Sequence, residues 1–148
     1  MVPRPRSCAG KPLLIALAFL PLAGCQYSFQ VKAVREGDAY VLRAKGGDGH
    51  FSPKACVRSL AVKEAGRTIW QIENPRNGWE GDCRQDFPVV YGRAPEGFAT
   101  VVPAEPLRPG VAYTINGSGV AGLYGAFSVR ADLSVANEKK AKARRLSW

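Results

Sequence analysis

Cys56-Val57-Arg58-Ser59-Leu60-Ala61-Val62-Lys63-Glu64, followed by Ala65-Gly66 and by Arg67-Thr68-Ile69-Trp70-Gln71-Ile72-Glu73, is the stretch that decides the fold. Leu60 and Val62 share one face of the first run. Trp70 and Ile72 share one face of the second, with Gln71 and Glu73 on the other. Period-two alternation on both sides of a Gly-containing turn predicts a β-hairpin. Outward from it the same period recurs. Phe29, Val31 and Ala33 alternate with Gln30 and Lys32, and Tyr40 and Leu42 with Arg43 and Lys45. Phe87–Tyr91 and Phe98–Val102 read as short strands, separated by Pro95-Glu96-Gly97. Val111, Tyr113 and Ile115 alternate, and Gly125, Phe127, Val129 and Ala131 alternate with Tyr124, Ala126, Ser128 and Arg130. Helical periodicity is nearly absent, so the expected class is all-β, with seven to eight strands.

Leu107-Arg108-Pro109-Gly110-Val111-Ala112-Tyr113-Thr114-Ile115 resembles the turn-plus-strand signature of fibronectin type III domains. The resemblance implies an immunoglobulin/fibronectin-III-like β-sandwich in which the Tyr113 hydroxyl bonds back to the turn, a tyrosine corner. Trp70 on a mid-chain strand is compatible with such a core. The likeness covers about nine residues and the strand count, and a sandwich by itself implies no function.

The N-terminus speaks to location. Arg4, Arg6 and Lys11 precede an apolar run through Leu22, and small residues then precede a cysteine, the layout of a secretory leader. Leu22-Ala23-Gly24-Cys25 closely resembles the lipobox of bacterial lipoproteins. That resemblance implies cleavage before Cys25 and acylation of its thiol, hence a lipid bilayer as partner. Two or three acyl chains hold a protein stably where one binds only marginally, at roughly 10⁴ M⁻¹. The apolar run is short for a membrane span, which takes about 20 residues. An ordinary leader with an accidental cysteine is the plain alternative. Gln26 after the cysteine, by the same resemblance, favours the outer membrane facing the periplasm. The expected organisation is a leader over 1–24, one domain over 25–137 and a basic tail over 138–148.

The chain has 148 residues and a formal net charge of +9, enough for one domain with a sizeable core. The charge is unevenly placed. Lys139, Lys140, Lys142, Arg144 and Arg145 follow Glu138, whereas Gln26–Asn137 holds 13 basic and 11 acidic residues. Nucleic-acid binding calls for a basic face on the folded body, so no nucleic-acid partner is expected. The tail is either a solvated segment or a contact for anionic lipid, lipopolysaccharide or peptidoglycan groups.

Of four cysteines, Cys8 falls in the leader and Cys25 in the lipobox. Cys56 and Cys83 remain, and outside the cytosol such a pair most often forms a disulfide. Closing their roughly 27-residue loop would stabilise by about 3.5 kcal/mol on the chain-entropy model. A metal or redox pair is the alternative, but the chain has no Cys-x-x-Cys and a single histidine, His50.

Other patterns are weaker. Gly117-Ser118-Gly119-Val120-Ala121-Gly122 matches the dinucleotide fingerprint, yet a strand-like run follows it where a helix is required, so it reads as a hairpin turn. Asp48-Gly49-His50 resembles a run in some periplasmic copper-binding sandwiches, whose sites need further nitrogen or carboxylate ligands. Ser52 lies near His50 without a triad pattern, and Glu80, Asp82 and Asp86 read as solvated loop residues. Asn116-Gly117-Ser118 fits a glycosylation sequon, discounted for a bacterial chain. No catalytic set, metal or cofactor is expected, and the chain is read as no enzyme. Trp79 and Arg76, in the Gly-rich stretch before Cys83, are candidate contacts; an aromatic on a tethered loop suits a binding hot spot, or it caps the core. The expected function is a membrane-anchored binding or scaffolding module of the envelope. The alternative is an inhibitor or accessory subunit docking on one envelope enzyme or transport complex.

Overall fold

The computed structural model describes residues 28–44, 55–75 and 85–139. The leader, Cys25, His50, Arg76, Trp79, Cys83, Lys140, Lys142, Arg144 and Arg145 lie outside these residues. The described residues form strands and no helix: β1 Ser28–Glu36, β2 Ala39–Ala44, β3 Cys56–Val57, β4 Ser59–Glu64, β5 Arg67–Glu73, β6 Gln85–Asp86, β7 Val89–Val90, β8 Ala99–Val102, β9 Ala112–Ser118, β10 Gly122–Val129 and β11 Val135–Asn137. The all-β class is as expected. The strands exceed seven or eight because β3, β6 and β7 are only two residues long and because the three-residue β11 closes the domain just before the expected tail.

Nine strands share one mixed sheet, in the order β7-β2-β1-β10-β9-β4-β5-β8 with β11 beside β10; β3 and β6 form a separate pair. Leu42 of β2 and Val89 of β7 share a core with Trp70 and Ile72 of β5, although four strands separate β2 from β5. Only a curled sheet brings them together, and this one curls into a half-barrel. Tyr91, just after β7, packs across it. Its ring meets Trp70 edge-on at 5.0 Å, and its hydroxyl donates to the Glu105 carbonyl at 2.6 Å. The Glu105 amide in turn donates to Ile69 O at 3.0 Å.

The central hairpin is as read over Ser59–Glu73, with Ala65 and Gly66 at positive φ (46° and 83°) between β4 and β5, the two-residue turn whose twist suits a hairpin; Cys56–Val57, read as the start of its first arm, pair with β6 instead. One irregularity was not legible. Val62 pairs with Trp70 but Lys63 with Thr68, so Ile69 is an extra residue in β5. This bulge lets Ile69 and Trp70, neighbours in sequence, both be buried, and bulges bend a strand locally. The hydroxyl of Tyr113 accepts from the Arg108 amide at 2.8 Å, the bond back to the turn that the Leu107–Ile115 signature implies.

β1 changes partner midway. Ser28–Gln30 pair in parallel with Gly122–Tyr124 of β10, and Val31–Glu36 pair antiparallel with β2. At the divergence, a Cβ on Gly125 would lie 2.2 Å from Val31 O, so only glycine lets β10 approach β1 this closely.

Candidate functional site: one pole and a groove

The register places the start of β1, the β9–β10 turn, the start of β4 and the end of β5 at one end of the sheet. β1 starts at Ser28 opposite Gly122, the start of β10. β9 ends and β4 begins there, with Ser59 paired to both Ser118 and Glu73. β2 runs out at Ala44 opposite Val31. β5 leads out through Asn74, whose amide donates to Arg58 O at 2.8 Å, and the chain returns at Gln85 opposite Val57. Ala44 and Glu73 therefore lie toward the same end of the sheet as the start of β1. The turns at Gly37, Ala65-Gly66 and Gly110 lie at the opposite end.

Gly119, Val120 and Ala121 form the β9–β10 turn at the same pole, closed by Gly119 N donating to Ala121 O at 3.0 Å. The fingerprint-like run is thus a hairpin turn, although β9 persists through Ser118 and leaves a tighter turn than Gly117–Gly122. Val120 at its tip is 51% exposed. Cys56, buried beside this turn, is disulfide-bonded. Cys83, its expected partner, lies outside the described residues, two positions before Gln85.

On the outer face of the sheet a groove of about 390 Å³ crosses β1, β10 and β9. Gln30, Tyr124 and Asn116 form one row across the three strands. Next to it, Ala126 presents only a methyl on this face, and the Gly125 backbone adds to the lining. Thr114 completes the floor, and Glu138 and Lys139 form a lip. Its polar groups are two amides, two hydroxyls, the Glu138 carboxylate and the Lys139 ammonium, beside the apolar Ile115 and Ala126, a mixture suited to hydrogen bonding a polar ligand. Among the described residues, no group of three or more His, Cys, Asp or Glu is placed to hold a metal ion.

Lys139 is therefore the one tail candidate with a described position, exposed at the groove's lip. Glu138, expected to open the tail, is tied to the sheet instead. Its amide donates to Ala126 O at 2.9 Å, and its carbonyl accepts from Gln30 Nε2 at 3.2 Å. Sequence reading missed Gln30, Thr114, Asn116 and Tyr124 as a group. Their polar, outward positions are visible in each strand, but their adjacency depends on the parallel β1–β10 pairing.

Electrostatic perturbations lie away from this pole. Arg67 hydrogen-bonds Glu105, which lowers the Glu105 carboxyl below its ordinary value and raises the guanidinium. Desolvation is the main reason the Tyr91 phenol is raised. These are contacts that hold the half-barrel's rim. Comparison with protein-family models, with characterised proteins and with solved structures gives no match to this chain.

Proposed function

We propose that the chain is a small bacterial envelope lipoprotein, acylated at Cys25 and held at the periplasmic face of the outer membrane, whose β-domain is a non-enzymatic binding or scaffolding module. The observation that carries this reading is Leu22-Ala23-Gly24-Cys25 at the end of a basic-then-apolar leader. The fold is compatible with it, since β1 begins three residues beyond Cys25. The immunoglobulin- or fibronectin-III-like description of the domain belongs to the same proposal and is supported by the Tyr113–Arg108 bond. The groove over β9 and β10 is the proposed recognition surface, and an extended polar polymer of the envelope suits its amides, hydroxyls and Lys139.

The test is labelling with an alkyne-bearing fatty acid in a bacterial host, with intact mass of the purified protein. The expected product begins at Cys25, carries label and acyl mass, and fractionates with membranes. Cys25→Ser should lose the label. An unlabelled, soluble, cleaved product would replace this reading with that of an ordinary secreted protein.

A further inference from the structure

We propose that the outer face over β1, β10 and β9 binds a chain of N-acetylated hexosamines, the sugar backbone of a bacterial wall, laid across the strands with the Tyr124 ring as the platform for one sugar. The inference rests on the reading of the groove as a recognition surface and adds the ligand's chemistry to it.

The register fixes the order of the side chains. Gln30 lies opposite Tyr124, Tyr124 opposite Asn116, Asn116 opposite Ala61, and Ala61 opposite Gln71. They form a single row from β1 to β5: an amide, a phenol, an amide, a methyl and an amide. Neighbouring strands are about 4.8 Å apart, so the row spans roughly 19 Å, the length of about four pyranose rings. Gln30 Nε2 donates to Glu138 O at 3.2 Å, which positions that amide on the sheet. One row nearer the β9–β10 turn, Ser28, Gly122, Ser118 and Ser59 lie side by side. The Ser59 and Ser118 hydroxyls hydrogen-bond at 2.8 Å. A Cβ on Gly122 would meet nothing within 4 Å, so the surface beside Tyr124 is open on that side.

This surface gives an anionic polymer little to hold. Neither row contains a basic residue. Of the charges bordering the rows on β4, on β5 and at the lip, Glu73 and Glu138 offset Lys63 and Lys139, so no field of one sign is presented. A peptide strand is also poorly served. The backbones of Ser28–Gln30, β10 and β9 are paired with one another here, and strand addition needs a sheet edge. What remains is side-chain amides, hydroxyls and one ring. A side-chain amide carries both donor and acceptor, the complement of an acetamido group with its N–H and C=O. The Tyr124 ring offers an apolar surface to the C–H face of a pyranose, whose hydroxyls then project sideways toward Gln30 and Asn116. Because a sugar ring is about as long as the strand spacing, successive sugars meet successive strands.

The experiment is calorimetric titration of the full chain, purified from a bacterial host, with a hexasaccharide of β-1,4-linked N-acetylglucosamine. Binding is expected, with a Kd that changes less than twofold between 0.05 and 0.5 M salt. Tyr124→Ala should weaken it at least tenfold and Tyr124→Phe less than threefold, since the ring and not the hydroxyl makes the platform. Lys139→Gln should leave it within twofold. Thermal unfolding reports whether Tyr124→Ala keeps the fold. If it does not, Asn116→Leu carries the test and should weaken binding at least fivefold. No binding of the hexasaccharide by the parent chain overturns the proposal, as does binding indifferent to both Tyr124→Ala and Asn116→Leu. Preference for polygalacturonate that is lost in 0.5 M salt or in Lys139→Gln overturns it in favour of an anionic polymer. If the hexasaccharide fails while insoluble wall material still sediments with the chain in a manner that depends on Asn116, the groove remains the recognition surface and the sugar chemistry alone falls. Acylation of Cys25 is read separately by intact mass.

Discussion

Asn137 hydrogen-bonds both sides of one residue on a neighbouring strand: the Ala33 amide donates to Asn137 Oδ1 at 2.7 Å, and Asn137 Nδ2 donates to Ala33 O at 2.8 Å. Past Gln30, β1 turns away toward β2 while β10 pairs with β11. A primary amide carries the same donor and acceptor as a strand backbone, so the Asn137 side chain substitutes for backbone pairing in the fork. Asn137→Ala should cost about 2 kcal/mol, because it leaves part-buried backbone groups without partners. Asn137→Asp should recover little, since the carboxylate would face the Ala33 carbonyl. Urea denaturation of the three proteins checks this.

Two glycines of β10 should respond in opposite ways. A Cβ on Gly125 would meet Val31 O at 2.2 Å, whereas one on Gly122 would meet nothing within 4 Å. Gly125→Ala should therefore destabilise by about 2–3 kcal/mol by forcing β1 and β10 apart. Gly122→Ala should be neutral or slightly stabilising, by up to about 1 kcal/mol, through the unfolded chain. Thermal unfolding of the pair decides it; equal losses would mean that the close approach at Gly125 is not the cause.

Acid should weaken the rim of the half-barrel. The Glu105 carboxyl lies below its ordinary 4.5, chiefly because Arg67 hydrogen-bonds it. A lowered folded-state value gives a contribution that is fully present above the unfolded value and is lost as pH falls through the folded one. Both groups are exposed, so the effect is small and screened by salt. Glu105→Gln should lower stability slightly near neutrality, where the contribution is fully present, and its difference from the parent should vanish as pH falls below about 4.5. Denaturation midpoints from pH 3 to 7, at low and high salt, would display the difference.

Asn116 tests the groove without touching the core. It is exposed in the row with Tyr124 and Gln30, so Asn116→Leu should alter stability by no more than about 0.5 kcal/mol. Co-sedimentation with insoluble peptidoglycan is expected to fall at least fivefold. Binding that is unchanged would remove the groove as the recognition surface.

Local chemistry made much of the fold readable. The Ala65-Gly66 turn, the alternation in β4, β5, β9 and β10, and the tyrosine at position 113 each depend on residues close in sequence. The bulge at Ile69 was hidden, because two adjacent apolar residues fit a bulge and a buried strand equally. The split of β1 was hidden for a related reason. Phe29, Val31 and Ala33 keep their inward period whichever strand lies beside them, so alternation carries no record of the partner. The strand Val135–Asn137 leaves no signal in the sequence, since three residues are too few to show a period. The groove needs three strands that are distant in sequence, and no single window contains it.

The parallel pairing of Ser28–Gln30 with Gly122–Tyr124 has a mechanical consequence for a tethered domain. Tension arriving from the N-terminal side pulls β1 along its own length. The interstrand hydrogen bonds to β10 then bear the load together, as they would not if the strand were peeled from its end. Load passes next into the fork where Asn137 grips Ala33, and so into both arms of the sheet. The first element after the proposed anchor is thus joined to β10, β2 and β11, and a drag on the domain would be shared among them before any strand detached.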